Sequence, residues 1–199
     1  MSKRFLKSVY DVEGEDAVRA LYDDWSESYD AEISENGYAT PARCAAALKA
    51  CGLAPDAAIL DMGCGTGLSG VAMAQMGFTR IDGADLSPGM LDKARARGVH
   101  RQLSLSSDLP QIPYDAVAAV GAIGPGAAPI SLFETCLGYL RKGGLFVLSL
   151  NDHALEQADY PDRLTRALDQ GEVLPRFQER GDHLPGINVK STVYVFEKT

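Results

Sequence analysis

Val18, Leu21, Tyr22, Trp25 and Tyr29 recur every three or four positions and predict one amphipathic helix over 15–32. A second helix fits 41–51, with Thr40 as its capping residue, Pro41 at its first position and Gly52 as its stop. After Pro55 the rhythm shortens. Residues 57–62, AAILDM, form the compact apolar run of a buried strand, a glycine-rich loop follows, and 68–76 returns to helical spacing until Gly77. The unit then repeats: a strand at 80–85, then a helix capped by Ser87, with Pro88 in its first turn and Gly98 at its end. Further strands are expected at 100–105, 114–120 and 145–150, the last preceded by a helix at 130–140 and a turn at 141–144.

The tail changes character. Residues 152–170 read as a helix, and 174–180 and 191–197 as strands with only a loop between them, most simply an antiparallel pair at one edge. Strands alternating with helices of this length imply right-handed crossovers and a parallel sheet covered on both faces. The expected fold is α/β, a doubly wound, Rossmann-like, seven-stranded and mostly parallel sheet with an antiparallel C-terminal hairpin. With 199 residues the chain suits one domain, divided into N-terminal helices over 1–55 forming a lid or cap, a cofactor-binding core over 56–152, and a C-terminal helix with strands over 153–199.

Composition narrows the partners. A formal net charge of -8 disfavours a surface built to follow a phosphate backbone, so no nucleic-acid partner is expected. The basic opening, 1–7, lacks the apolar run of a signal peptide, and no later stretch approaches the length of a membrane span. A cytoplasmic protein with no membrane partner is expected. Cys44, Cys51, Cys64 and Cys136 show no paired spacing and no nearby histidine at ligand distance, so no metal site is expected and the thiols read as free. Oligomeric state leaves no trace in the pattern.

The chemistry concentrates in ILDMGCGTGL, residues 59–68. In a doubly wound sheet, ligands sit outside the carboxyl ends of the strands, and this loop follows the first of them. Gly63, Gly65 and Gly67 permit a tight turn and close approach of backbone to ligand, and the next helix offers unpaired N–H groups to either phosphate or carboxylate. Residues 65–70 also fit the dinucleotide pattern GxGxxG, which alone is a weak signal. Asp61 shifts the balance: a carboxylate repels a pyrophosphate and attracts a sulfonium or ammonium group, although an acid there can also simply brace the loop. Asp85 ends the second strand, where a carboxylate can accept both ribose hydroxyls. Leu86 and Met90 stand beside it, either as a wall for an adenine ring or as plain core.

These residues resemble a family. Residues 59–67 resemble motif I of the class I S-adenosylmethionine-dependent methyltransferases, 81–91 their second-strand motif, and LRKGGLFVL, 140–148, the motif leading into their fifth strand. YDDWSESYD, 22–30, is similar to the Tyr-Asp pair of small bacterial enzymes of the ubiquinone and menaquinone biosynthesis type. The resemblance implies S-adenosylmethionine as cofactor, S-adenosylhomocysteine as product and a small-molecule methyl acceptor. It further implies that Gly63, Cys64 and Gly65, with Leu68 behind them, line the methionine moiety, with Asp61 near its amino group. Asp85 would hold the ribose, Leu86 and Met90 would flank the adenine, and Ser107 or Asp108 would meet the adenine amino group. Tyr29 would fold over the cofactor, and Gly121 and Ala122 would approach the sulfonium end by backbone.

GAIGPGAAP, 121–129, departs from the relatives, many of which carry a titratable residue in this acceptor loop. If the acceptor must lose a proton, His153, just beyond the fifth strand, is the best-placed histidine, though it also reads as a solvent-facing residue. Two other readings use the same glycines: an NAD(P)-binding oxidoreductase, and a partner protein that binds S-adenosylmethionine without catalysis.

Overall fold

The structure is a computed structural model that describes residues 14–199, so the basic opening at 1–7 and the first part of the 1–55 segment lie outside the described residues. Seven strands form one sheet: β1 (Ala58–Met62), β2 (Arg80–Asp85), β3 (Leu103–Leu105), β4 (Tyr114–Ala119), β5 (Leu140–Asn151), β6 (Val173–Leu184) and β7 (Val189–Lys198). Their order is β3-β2-β1-β4-β5-β7-β6. β1 pairs in parallel with β2 and β4, β2 with β3, and β4 with β5, while β7 runs antiparallel to both β5 and β6. The chain winds outward from β1 through β2 to β3 and then crosses back to β4. The crevice above β1 and β4 is therefore the topological switch point.

Alternation along the central strands fills both faces. Leu60 and Phe146 face one side, where they pack with Phe133 of α6 (Leu132–Tyr139) and Leu164 of α8 (Asp159–Asp169). Their neighbours Ile59 and Val147 face the other, against Leu48 of α3 (Thr40–Ala50) and Met73 of α4 (Leu68–Gln75). A period of two on strands thus serves two helical layers at once, which is why these strands are apolar throughout. α5 (Pro88–Arg97) covers β2 and β3 with Leu91 and Ala94, together with Cys64.

The single helix expected over 15–32 is two, α1 (Glu15–Trp25) and α2 (Tyr29–Glu35). Ser26 turns its hydroxyl back onto Asp23 O at 2.8 Å, and Ser28 N bonds Trp25 O, so a turn intervenes. The aromatic spacing still works because α1, turn and α2 fold onto one cluster. Thr40 is not a cap: Ala39 ahead of it is already helical, and Thr40 lies fully buried inside α3. Among the described residues of the 1–55 segment, α3 packs in the core under the sheet, whereas Trp25 of α1 and Ile33 of α2 belong to a separate cluster.

The turn at 141–144 survives as an irregularity inside β5, where the register with β4 jumps from Tyr114↔Leu140 to Ala116↔Leu145. The tail helix divides into α7 (Asp152–Leu155) and α8, and the sixth strand reaches Leu184 rather than residue 180. Among the described residues no helix is long and apolar enough to cross a membrane.

Candidate active site

A cavity of about 780 Å³ opens over the carboxyl ends of β1, β2 and β4. Its floor is the glycine loop. Gly63 N and Cys64 N both donate to Ala84 O, at 2.8 and 3.0 Å, which ties the loop to the end of β2. Gly63 has φ +70°, and a Cβ on it would stand 2.6 Å from the Ala122 Cβ, so the loops after β1 and β4 can meet only because that atom is missing. Gly65 has φ +53° and faces open space where a side chain would otherwise project. That bare cradle is the shape needed to seat a ligand against main chain.

Asp85 forms the second wall. Its Oδ2 accepts Gly65 N at 2.8 Å and its Oδ1 accepts Ser87 N at 3.0 Å, so the acid both shapes the loop and presents its remaining lone pairs to the cavity. Burial pushes its carboxyl above the usual carboxylate range, against the opposing pull of those backbone donors. Leu86 and Met90 line the cavity beside it, and Ser106 and Ser107 close that end. Asp108 does not line it: the side chain is exposed and accepts Ser107 Oγ at 3.0 Å.

Asp61 requires a correction. It is fully buried beneath the loop and absent from the cavity wall, accepting Ser69 Oγ at 2.7 Å and His100 Nε2–H at 3.0 Å. A residue on a sheet buried on both faces points into a face rather than up at the ligand, and here it meets His100. The acid braces α4 against the loop; its attraction for a cationic cofactor is not a direct contact. The same histidine explains Gly70, the third glycine of the dinucleotide-like pattern, since a Cβ there would collide with the His100 ring.

Over the cavity sit α1 and α2. Trp25 and Tyr29 meet edge to face at 4.8 Å and Tyr22 stacks on Trp25 at 5.7 Å; of the three, Tyr22 and Tyr29 line the cavity. Two carboxylates that sequence reasoning passed over hold this pair of helices down. Asp23 accepts Ser87 Oγ at the cap of α5 and Gly89 N at 3.1 Å. Asp30 accepts Thr66 Oγ1 at 2.6 Å and pairs with Arg97.

Opposite, Gly121 N donates to Ser149 Oγ at 2.8 Å, and Ala122, Pro125, Ala127 and Leu132 give an apolar wall. His153, proposed as a base, is not part of it: the residue lies in the short α7 outside the cavity. Cys64 does line the cavity, but burial pushes its thiol well above the usual range, which removes a thiolate role. Among the described residues no cluster of acids, cysteines or histidines could hold a metal.

The histidine that does approach is His183. It sits near the end of β6, 7% exposed, against Tyr38 at 5.2 Å and with Nδ1 2.8 Å from Thr40 Oγ1. Burial, then the nearby Arg43 guanidinium, push its imidazole down to about 4, so the ring is neutral at pH 7. The sequence offered only an isolated histidine in an apparent loop, and nothing there signals a strand long enough to bring it inside.

A glycine cradle at the switch point of a doubly wound sheet, with an acid ending the neighbouring strand, defines a nucleoside-cofactor-binding domain. Residues 59–144 match the methyltransferase domain family. Methyltransferase-like protein 27 of Homo sapiens is 33% identical over 160 residues, 76% of this chain and 64% of that protein. The 18S rRNA (guanine(1575)-N(7))-methyltransferase of Saccharomyces cerevisiae is 33% identical over 129 residues, 57% of this chain and 47% of that protein. The chain thus spans about half to two thirds of the length of these curated relatives. In fold it resembles magnesium protoporphyrin IX methyltransferase from Synechocystis with bound S-adenosylmethionine, at a TM-score of 0.68 and 16% identity, covering 94% of this chain and 98% of that one. Residues 59–144 thus carry a methyltransferase domain, and these likenesses support a class I S-adenosylmethionine-dependent methyltransferase, a class whose cofactor is S-adenosylmethionine.

Proposed function

We propose that this chain transfers a methyl group from S-adenosylmethionine to a small acceptor with an apolar body. One observation carries the reading: a single cavity joins the bare main chain at Gly65 and the Asp85 carboxylate to the wall of Ala122, Pro125, Ala127 and Leu132. Its volume of about 780 Å³ suits a nucleoside cofactor plus a modest second molecule.

When bound, the cofactor supplies a methyl group already activated on a sulfonium. The chain's own part is holding and orienting. Asp85 offers lone pairs to ribose hydroxyls, Leu86 and Met90 flank a flat base with Ser107 at its edge, and Gly63 to Gly65 leave the backbone open to the amino-acid end. Tyr29 and Tyr22 exclude water from above, and Gly121 and Ala122 bring backbone to the middle of the cavity. In-line displacement gains most from such positioning, so the lack of a titratable group in 121–129 is compatible with turnover. The yeast relative's rRNA target defines the competing acceptor class; the net charge of -8 supports the small molecule over nucleic acid. Four free thiols support action in the cytoplasm.

Calorimetric titration with S-adenosylhomocysteine and with NADH, followed by methyl-labelled transfer assays on small phenols, acids, amines and an RNA oligonucleotide, tests this. Saturable binding of S-adenosylhomocysteine alone, with label on a small acceptor, is the expected result. Binding of NADH, or label on RNA only, overturns it.

A further inference from the structure

Behind Tyr38 and Gly121 the main cavity continues into a chamber of about 50 Å³, room for one or two small groups. Both spaces share Tyr22, Tyr29, Tyr38, Gly121 and Pro125 as walls, and Ser149, Asn151 and His183 belong to the chamber alone. Among the described residues neither a carboxylate nor a lysine or arginine lines it.

The hydrogen bonds around it fix what it offers. Arg43 NH1 donates to Ser191 Oγ at 3.0 Å, which leaves the Ser191 hydroxyl proton for Thr40 Oγ1 at 3.1 Å. The Thr40 proton is then directed at His183 Nδ1, 2.8 Å away. A hydroxyl oxygen can accept twice, so the guanidinium alone does not set the direction; the arrangement in which Ser191 gives to Thr40 and Thr40 to His183 is the one that pairs both hydroxyl protons, and in it Nδ1 is the acceptor. The imidazole proton therefore resides on Nε2. That nitrogen makes no hydrogen bond to the described residues, though the ring is 7% exposed, and it is not sealed off as a buried orphan. Asn151 is constrained the same way: its Oδ1 is taken by Ala154 N at 2.9 Å, leaving its amide N–H groups to give. Ser149 Oγ already accepts Gly121 N. At the inner end of the chamber His183 Nε2–H and the Asn151 amide are thus two donors side by side.

We propose that this chamber seats a carbonyl-type oxygen of the methyl acceptor, held by His183 Nε2–H and the Asn151 amide, so that His183 selects the acceptor rather than serving as its base. The proposal rests on the methyltransferase reading for the presence of an acceptor. An sp² oxygen satisfies two donors with two lone pairs, whereas an ammonium group brings only protons and can accept from neither His183 nor Asn151. His183 acts here as a positioning residue, with Arg43, Ser191 and Thr40 holding its tautomer.

The test uses the described chain with histidine nitrogens labelled and saturated with S-adenosylhomocysteine, followed by NMR. Phenylacetate, phenylacetamide and phenethylamine are the probes. The expected result is a proton on Nε2 of His183 in the ligand-free state, with its resonance moved by the acid or the amide and not by the amine. Read by calorimetry in protein saturated with S-adenosylhomocysteine, His183→Phe should abolish binding of the acid and the amide while S-adenosylhomocysteine affinity stays within about twofold of wild type, and His183→Gln, which keeps a donor, should restore part of it. A movement with the acid alone assigns the oxygen to a carboxylate, and with the amide alone to a neutral carbonyl. A proton on Nδ1, an equal response to the amine, or no response to any probe in protein shown to bind S-adenosylhomocysteine overturns the proposal. Failure to bind S-adenosylhomocysteine at all speaks against the methyltransferase reading, and the tautomer of His183 still decides the present one.

Discussion

Asp30 and Thr66, 36 residues apart in sequence, are joined at 2.6 Å, and the same carboxylate pairs with Arg97. One side chain on α2 thereby ties the covering helices to the loop that forms the floor of the cavity. Asp30→Ala should leave the sheet folded, with a stability loss of no more than about 1 kcal/mol because the pair is partly solvated. It should weaken S-adenosylhomocysteine binding by roughly fivefold, the equivalent of about 1 kcal/mol for a charge-assisted bond. Calorimetry beside a urea melt separates the two effects; equal loss in both would mean that Asp30 serves folding alone.

Gly63 and Ala122 test the closeness of the two loops. Gly63→Ala should cost about 2 to 4 kcal/mol, from a positive φ that disfavours Cβ and from overpacking against Ala122. Adding Ala122→Gly should recover the overpacking part and leave the conformational part. Full recovery in the double variant, read from denaturant midpoints, would show that the backbone at Gly63 carries no strain.

Asp85 holds the loop through Gly65 and Ser87 and, in the proposed function, the ribose as well. Asp85→Ala should weaken cofactor binding by at least about tenfold. In the wild type, burial raises the Asp85 pKa, so the acid takes up its proton at a higher pH than an ordinary aspartate and affinity should begin to fall earlier on acidification. The sign for folding is opposite: a raised carboxyl pKa means that the native state binds the proton more tightly, so this group favours the fold on the acid side and opposes it once ionised. Binding isotherms between pH 7 and pH 4 check the first statement; an affinity independent of pH would remove Asp85 from the ligand.

His183 gives the molecule an acid sensitivity of its own. Its pKa is pushed from 6.5 down to about 4 by burial and Arg43, opposed by Asp152, with His153 also nearby. Unfolded chains take up the proton first as pH falls, so the stabilisation is complete above about pH 6.5 and is lost progressively toward pH 4. The loss is roughly 3 kcal/mol at most. Asp115, held low by the Ala58 N–H and Arg141, loses its contribution only below the ordinary carboxylate range, so the two windows are distinct. Urea midpoints of His183→Gln should be flatter than wild type between pH 6.5 and 4; identical slopes would refute the assignment.

The central strands and the glycine loop were legible because their signals are local: apolar runs such as 57–62, glycines at alternate positions and an acid ending the next strand need no distant partner to be read. What escaped depends on contacts across the chain. Asp61 looked like a ligand-facing charge because nothing nearby in sequence announces His100, 39 residues on, as its partner. Thr40 looked like a cap, yet its hydroxyl is claimed by β6 and β7 through His183 and Ser191. Asp23 and Asp30 lie in the 22–30 stretch that drew notice only for its Tyr-Asp likeness, and docking against α5 makes them anchors. The break between α1 and α2 was hidden because the aromatic spacing continues through it.

The loop after β4 carries no group able to gain or lose a proton near neutrality. The timing of chemistry at that wall therefore passes to the guest. Each substrate would bring its own ionisation curve, and the alkaline side of the turnover profile would travel with the guest from one compound to the next, while Asp85 and His183 keep the acid side with the host.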